Sequence, residues 1–315
     1  MTKLNKSIHE AVMVREVLTA LHPHPKGHYL DATLGGATHS QEILKASAPD
    51  GKLLSLDIDP AALERARSIA KPFGPRWQIM ESNFRELKSA AAESGLAPFD
   101  GILFDLGLSS DELADPLKGL SFQEDGPLDM RLGPKANEDG LTAADIVNSW
   151  PKTDLVKCLK YFGEESFASR IADAIISRRK KQKFQTTLDL ALVISSAVPR
   201  QNQRGRLHPA TKSFQALRIA VNDEVESLKI ALDDAWGVLA PGGILAVIAF
   251  HSIEDRIVKN KFKSFQNAEV SKKPILPSQK EINQNPRARS AKLRLAHKYP
   301  NTKNKKVCHE PTLLL

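Results

Sequence analysis

HYLDATLGGATHSQEILKASAPDGKLLSLDIDP, residues 28–60, is the stretch that decides the fold. An apolar strand over Tyr29–Ala32 enters a turn with paired glycines, a helix follows over about Ser40–Ala48, and a second strand over Leu53–Leu56 ends on Asp57. This is a βαβ unit, and ligands of such units sit in the crevice beyond the carboxyl ends of the strands. Gly35 and Gly36 let the backbone approach a ligand with no Cβ in the way. Asp57, 21 positions after Gly36, stands where a carboxylate accepts both hydroxyls of a ribose. An ordinary βα turn is the competing reading.

The turn is not G-x-G-x-x-G and is not built for a pyrophosphate. S-Adenosylmethionine has a ribose and an adenine but no phosphate, so the pocket favours a methyltransferase over a dehydrogenase.

Outward from this unit the alternation continues. Ile8–Leu21 is patterned as a helix packing on the sheet, and HPHPKG, residues 22–27, ends it. Asp59 caps a helix over Asp59–Ala70 with Pro60 just inside its start. A third strand covers Trp77–Met80 and a helix Asn83–Ser94, with Phe84 placed either against an adenine ring or in the core. FDGILFDLG, Phe99–Gly107, is apolar enough to be buried on both faces and delivers Asp105 to the carboxyl edge.

From Leu108 to about Val221 no strand pattern appears, while helices are predicted over 143–150, 155–162, 166–181 and 187–197. A helix over Asp223–Leu239, a turn at Pro241-Gly242-Gly243 and a strand over Ile244–Phe250 resume the sheet. The predicted fold is α/β, a Rossmann-like sheet formed by residues 1–107 and 222–315, interrupted by an all-helical insert over 108–221. A helix over Ile253–Phe265 and an edge strand over Arg289–Lys298 complete it.

Composition narrows the classes. With 315 residues and 41% hydrophobic content the chain can bury a full core. No apolar run approaches a membrane span and the N-terminus lacks the core of a signal peptide, so a cytoplasmic protein without membrane contact is expected. Cys158 and Cys308 lack metal-type spacing, which predicts neither a metal site nor a disulfide. Net charge is +8, yet Arg256–Glu310 holds 15 Lys/Arg against 3 Asp/Glu, +12 on that part and −4 on the rest. Such segregation points to a polyanionic partner.

Methyl transfer from a sulfonium is an in-line displacement that mainly needs alignment. Asp105 can accept the N–H of an exocyclic base amine, with a purely structural or cofactor-contacting role as the alternative. His251, at the end of the fifth strand, is the second candidate catalytic residue, beside Ser252 and Arg256. The loop GLSFQEDGPLDMRL, residues 119–132, offers Asp129 and Arg131 to a target nucleotide. Lys212, Arg218, Arg287, Arg289, Lys292 and Arg294 are candidates for RNA phosphates, and arginines also stack on unpaired bases.

YLDATLGG, LDIDP, FDGILFDLGLSS, GLSFQEDGPLDMRL, YFGEES, HPATKSFQALRIAVNDE, FHSIEDRIVK and NPRARSAKLR follow one another almost end to end. In these motifs the chain closely resembles the bacterial ribosomal RNA small-subunit methyltransferase H family, also called MraW. The resemblance implies a class I S-adenosylmethionine-dependent methyltransferase fold with an inserted helical domain. It further implies methylation of the N4 amine of a cytidine in the decoding region of 16S ribosomal RNA. Family cofactor contacts fall on Ala37, Thr38, His39, Asp57, Phe84, Asp105 and Glu112. Where the family usually has Gly-Gly, this chain has Ala37-Thr38, and where it usually has Gln, this chain has Glu112.

A non-catalytic rRNA-binding assembly factor with an altered cofactor turn is the second hypothesis. A DNA amine methyltransferase would carry Asp/Asn-Pro-Pro-Tyr/Phe after the fourth strand, where this chain has Asp105-Leu106-Gly107-Leu108. The oligomeric state, monomer or homodimer, stays open.

Overall fold

The computed structural model describes residues 11–134, 136–137, 139–199 and 208–300. In chain order the elements are α1 (Val14–Leu21), β1 (His28–Asp31), α2 (Thr38–Ala46), β2 (Lys52–Asp57), α3 (Pro60–Ile69), β3 (Trp77–Glu81), α4 (Leu87–Ser94), β4 (Phe99–Asp105) and α5 (Ser110–Ala114). The helical stretch follows as α6 (Ala143–Ser149), α7 (Lys152–Gly163), α8 (Ala168–Arg179), α9 (Thr187–Ala197) and α10 (Thr211–Val221). The chain then returns through α11 (Glu224–Val238), β5 (Leu239–Ala249), α12 (Ser252–Ser264), β6 (Ala268–Val270), α13 (Gln279–Gln284) and β7 (Lys292–Lys298).

One seven-stranded sheet has the order β3-β2-β1-β4-β5-β7-β6. The first five strands pair in parallel, while β7 runs antiparallel to both β5 and β6. The strand order reverses between β1 and β4, so the ligand crevice of such a sheet lies beyond Asp31 and Asp105. This is the class I methyltransferase sheet. Two apolar clusters cover its faces, one built on Leu30, Phe104 and Leu232, the other on Tyr29, Leu53 and Ile248. A third draws its members from Leu120 to Val221 and forms the centre of α6–α10. Among the described residues no helix is long and apolar enough to cross a membrane.

Several elements differ from the sequence expectation. The helix expected from Ile8 begins at Val14, and residues 8–10 lie outside the described part. The Pro241-Gly242-Gly243 turn is an excursion inside β5, where the register against β4 shifts between Phe99 and Gly101. The segment expected as an edge strand is interior, because the three-residue β6 pairs on its outer side and takes the edge. An interior β7 has a direct consequence for its basic residues. Arg294 is 5% exposed, and its Nε donates to Asp255 Oδ1 at 2.6 Å, while Lys292 Nζ reaches Oδ2 of the same carboxylate at 3.1 Å.

Removing the acid from a buried pair strands the cation, which typically costs several kcal/mol, whereas an exposed pair contributes little. Asp255→Ala is therefore expected to destabilise the protein by about 3 kcal/mol. Asp233→Ala, which breaks the surface pair to Lys261, is expected to cost under about 1 kcal/mol. Denaturant unfolding of both variants against wild type checks the contrast.

Candidate active site

The carboxyl edge of the sheet opens into a cleft of about 1240 Å³, the solvent at its mouth included. Its lining brings together Gly35, Gly36, Ala37, Thr38, His39, Asp57, Phe84, Asp105, Glu112 and His251, all expected from sequence.

The floor is set by strand ends. Asp31, which sequence reading passed over, is 1% exposed and accepts Ser40 Oγ–H at 2.6 Å and Thr33 N–H at 3.2 Å. Ser40 and Ser55 hydroxyls are 2.8 Å apart, and Trp77 Nε1–H donates to Ser55 at 2.9 Å. Because Ser40 spends its proton on Asp31, the chain of donors runs one way, from Trp77 through Ser55 and Ser40 to the carboxylate. Burial still raises the Asp31 carboxyl above its ordinary range. His39 Nε2 lies 3.3 Å from Asp105 Oδ2. Burial works against a charged imidazole there, but Asp105 and Asp31 outweigh it and hold His39 above the usual histidine value.

Asp57 is held by two backbone amides, Gly35 N–H at 2.8 Å and Asp59 N–H at 2.9 Å. The first of these bonds ties the glycine turn to β2, and Gly35 adopts φ +47° to make it. Burial and the facing Glu112 carboxylate push the Asp57 carboxyl up to about 7. Glu112 belongs to a capping box on α5, accepting Ser109 N–H at 2.8 Å while Ser109 Oγ accepts Glu112 N–H at 3.1 Å. Lys118, a second residue missed from sequence, sits 3.7 Å from Glu112 and 3.2 Å from Asp59 and offsets their charge.

Ala37 is the N-cap of α2 with φ +65° and ψ +9°, and it is buried. A Cβ in the left-handed region costs roughly 1–2 kcal/mol, which glycine avoids. The alanine at this position therefore carries backbone strain.

His251 caps α12 through a second capping box. Its Nδ1 accepts Glu254 N–H at 3.3 Å, and Glu254 Oε2 accepts Phe250 N–H at 2.8 Å and His251 N–H at 3.2 Å. Burial works to raise the Glu254 carboxyl, but His251 and Arg218 hold it below the usual range. Arg218 is not a phosphate ligand on the surface. The predicted helices left out α10, which turns Arg218 inward, where its Nε and Nη2 donate to the two carboxylate oxygens of Glu224 at 2.7 Å each. Glu224, His251 and Glu254 each bring one ligand atom within 4.8 Å of the others, and Arg218 already neutralises Glu224.

The outer residues divide into paired and free. Arg131 grips Asp129 through Nε at 2.8 Å and Nη2 at 2.7 Å. Their loop is pinned from α10, because Asn222 Oδ1 accepts Leu132 N–H and its Nδ2 donates to Met130 O. Gly119 has φ +64°, and a Cβ there would lie 2.0 Å from Pro127 O, so this loop closes tightly on itself. Ser252 and Arg256 both bind Glu164, at the end of α7, at 2.6 and 3.0 Å, and Lys212 donates to Glu164 O at 3.1 Å. Arg287 donates to Ser110 Oγ. Arg289 is exposed. Lys292 and Arg294 both pair with Asp255, because β7 is interior.

The donor set fits S-adenosylmethionine. Asp57 offers carboxylate oxygens to ribose hydroxyls, Phe84 an aromatic wall set edge-on to Phe104, and the acids a negative field for a sulfonium. Asp105 Oδ1 is buried with no hydrogen-bond partner, an acceptor waiting for a donor from outside the chain.

Two variants probe this site. A carboxyl raised in the folded state binds its proton preferentially there, so the stability it contributes is full below its unfolded value near 4 and falls away as pH rises towards about 7. Without cofactor, the melting temperature should drop between about pH 4 and about pH 7, and less so in Glu112→Gln. Asp31 and His39 act with the same sign in both proteins, so the difference isolates the Asp57–Glu112 pair; equal drops would refute it. Ala37→Gly should stabilise by up to about 1 kcal/mol in the same melts.

The MraW methylase family model matches residues 6–299. Ribosomal RNA small subunit methyltransferase H of Thermomicrobium roseum is 46% identical over 309 residues, covering 92% of this chain and 93% of that protein. The proteins of the same name from Carboxydothermus hydrogenoformans and from a Cyanothece species are 45% and 48% identical, each over 92% of this chain and over 97% and 95% of their own lengths. With the sheet, the glycine turn and its acid all in place, the chain belongs to the MraW methylase family.

Proposed function

We propose that the protein transfers the methyl group of S-adenosylmethionine to the N4 amine of a cytidine in the decoding region of 16S ribosomal RNA. The observation that carries the chemistry is the unpartnered acceptor Asp105 Oδ1 at the end of β4, in a cleft shared with the Gly35–Asp57 turn.

The bound cofactor supplies an electrophilic methyl carbon on a sulfonium. Asp57 and the Gly35–His39 turn bind and orient the adenosyl part, and Phe84 borders it. Asp105 accepts one N4–H of the base, which orients the amine and leaves its second face toward the methyl group. His39 braces Asp105 from the side, and Thr33 Oγ1 accepts the Asp105 backbone N–H at 2.6 Å. A methylated amine loses its extra proton readily, so no strong base is required of the chain.

The sheet part, residues 1–107 and 222–315, carries the cofactor on this reading, and the insert over 108–221 flanks the base with its Asp129–Arg131 loop. Arg289, Lys212, Arg256 and Arg287 are the contacts assigned to RNA. A binding factor without catalysis has less support, since Lys118 offsets Glu112 and the Gly35–Asp57 bond is intact despite Ala37.

The test has two stages. S-Adenosylmethionine is expected to bind in the micromolar range by calorimetry, with Asp57→Ala abolishing the signal. Small ribosomal subunits lacking the modification should gain N4-methylcytidine in 16S RNA. Asp105→Asn, which trades an acceptor for an amide, should lower kcat at least tenfold, the scale of one lost transition-state hydrogen bond. Cofactor binding with no transfer to any RNA would favour the assembly factor.

A further inference from the structure

We propose that His251 Nε2–H is the hydrogen-bond donor that reads N3 of the target cytosine, as the partner of Asp105 Oδ1, which accepts N4–H. This rests on the function proposed above and specifies how the same site selects its base.

The tautomer follows from the cap. Nδ1 of His251 accepts the Glu254 N–H at 3.3 Å, and a ring nitrogen that accepts carries no proton, so the neutral ring holds its proton on Nε2. That nitrogen is buried and has no hydrogen-bond partner. Glu254 Oε1 is 3.1 Å from it, close enough to attract but outside hydrogen-bond alignment. The imidazole is thus a donor held ready, and taking up a proton at Nδ1 would break the helix cap. His251 is accordingly ill suited to be a general base and well suited to donate.

Glu254 is its positioning residue. The carboxylate is 6% exposed, fixed by two backbone amides, and has Arg218 nearby, itself locked by Glu224. This chain of alternating charge holds the ring in one orientation, with Glu254 Oε1 3.1 Å from Nε2.

The two reading atoms belong to neighbouring strands. Asp105 stands opposite Ile248 in the parallel register of β4 and β5, and His251 follows three residues beyond Ile248, so both side chains line the one cleft. Cytosine presents a donor at N4 and acceptors at N3 and O2. Uracil presents an acceptor at O4 and a donor at N3, so it would set acceptor against acceptor at Asp105 and donor against donor at His251. Both buried groups would then lack partners, which is how a polar site rejects a near-isostere.

Asparagine caps helices well but is too short to reach as His251 Nε2 does, whereas glutamine caps poorly and carries a donor farther out. The test compares His251→Asn with His251→Gln on small ribosomal subunits. It measures kcat/KM for N4-methylcytidine formation, S-adenosylmethionine binding and melting temperature. Expected are wild-type stability with at least tenfold lower kcat/KM in Asn, and higher kcat/KM in Gln than in Asn despite a weaker cap. Asn as active as wild type, or Asn above Gln, would reduce His251 to a cap and overturn the assignment. A wild type that binds cofactor but forms no N4-methylcytidine overturns the proposed function itself, which separates the two failures.

Discussion

Four neighbouring strands of this sheet end on an acid. Glu81, Asp57, Asp31 and Asp105 are the last residues of β3, β2, β1 and β4, which lie side by side. Of these, Asp57 and Asp105 line the cleft, and Glu112 faces Asp57 from α5, so the cleft is edged by a short row of like charges. Such a row is unfavourable in the empty protein and favourable to a cation. Three of the four acids are restrained separately, Asp57 by two amides, Asp31 by a directed hydroxyl chain and Asp105 by His39. Burial raises the Asp31 and Asp57 carboxyls, and the facing Glu112 adds to the rise at Asp57. A sulfonium ligand relieves the repulsion that the fold creates.

The helical insert is attached to this edge by polar contacts that reuse the same logic. Lys118 reaches back to Asp59 and Glu112, Arg218 to Glu224, and Glu164 reaches forward to Ser252 and Arg256. Asn222 pins the loop between them by satisfying one backbone amide and two carbonyls. Apolar packing gives the insert its own centre, and these directed bonds set where that centre sits over the cleft.

The sheet and the cofactor turn were legible because their cues are local. Continuous apolar runs, a glycine pair and strand-end acids need only a short window, and they place Gly35, Asp57, Phe84 and Asp105 in one cleft. Charge is legible only as a total. Arg218 and Arg294 read as surface cations until topology places α10 over Glu224 and β6 outside β7. Asp31 carries no such cue, because it ends a short strand whose ligand signal in the sequence begins at Gly35. Lys118 sits six residues beyond Glu112, a spacing no helical or strand period flags, since the two meet only where the chain turns after α5.

An acidic cleft and an RNA substrate are reconciled by geometry. Phosphates are repelled from the strand ends, while a cytosine ring is neutral and can enter alone. Cations that hold a backbone therefore belong outside the cleft, and most of those nearest it are already committed, Arg131 to Asp129, Arg256 to Glu164, Lys292 to Asp255. A committed cation steers weakly at long range, and a carboxylate presents to it the same paired oxygens that a phosphate does. The excess of +12 over Arg256–Glu310 favours a polyanion at long range. Only an unpaired nucleotide satisfies both, with its phosphates on the rim and its base against the acids.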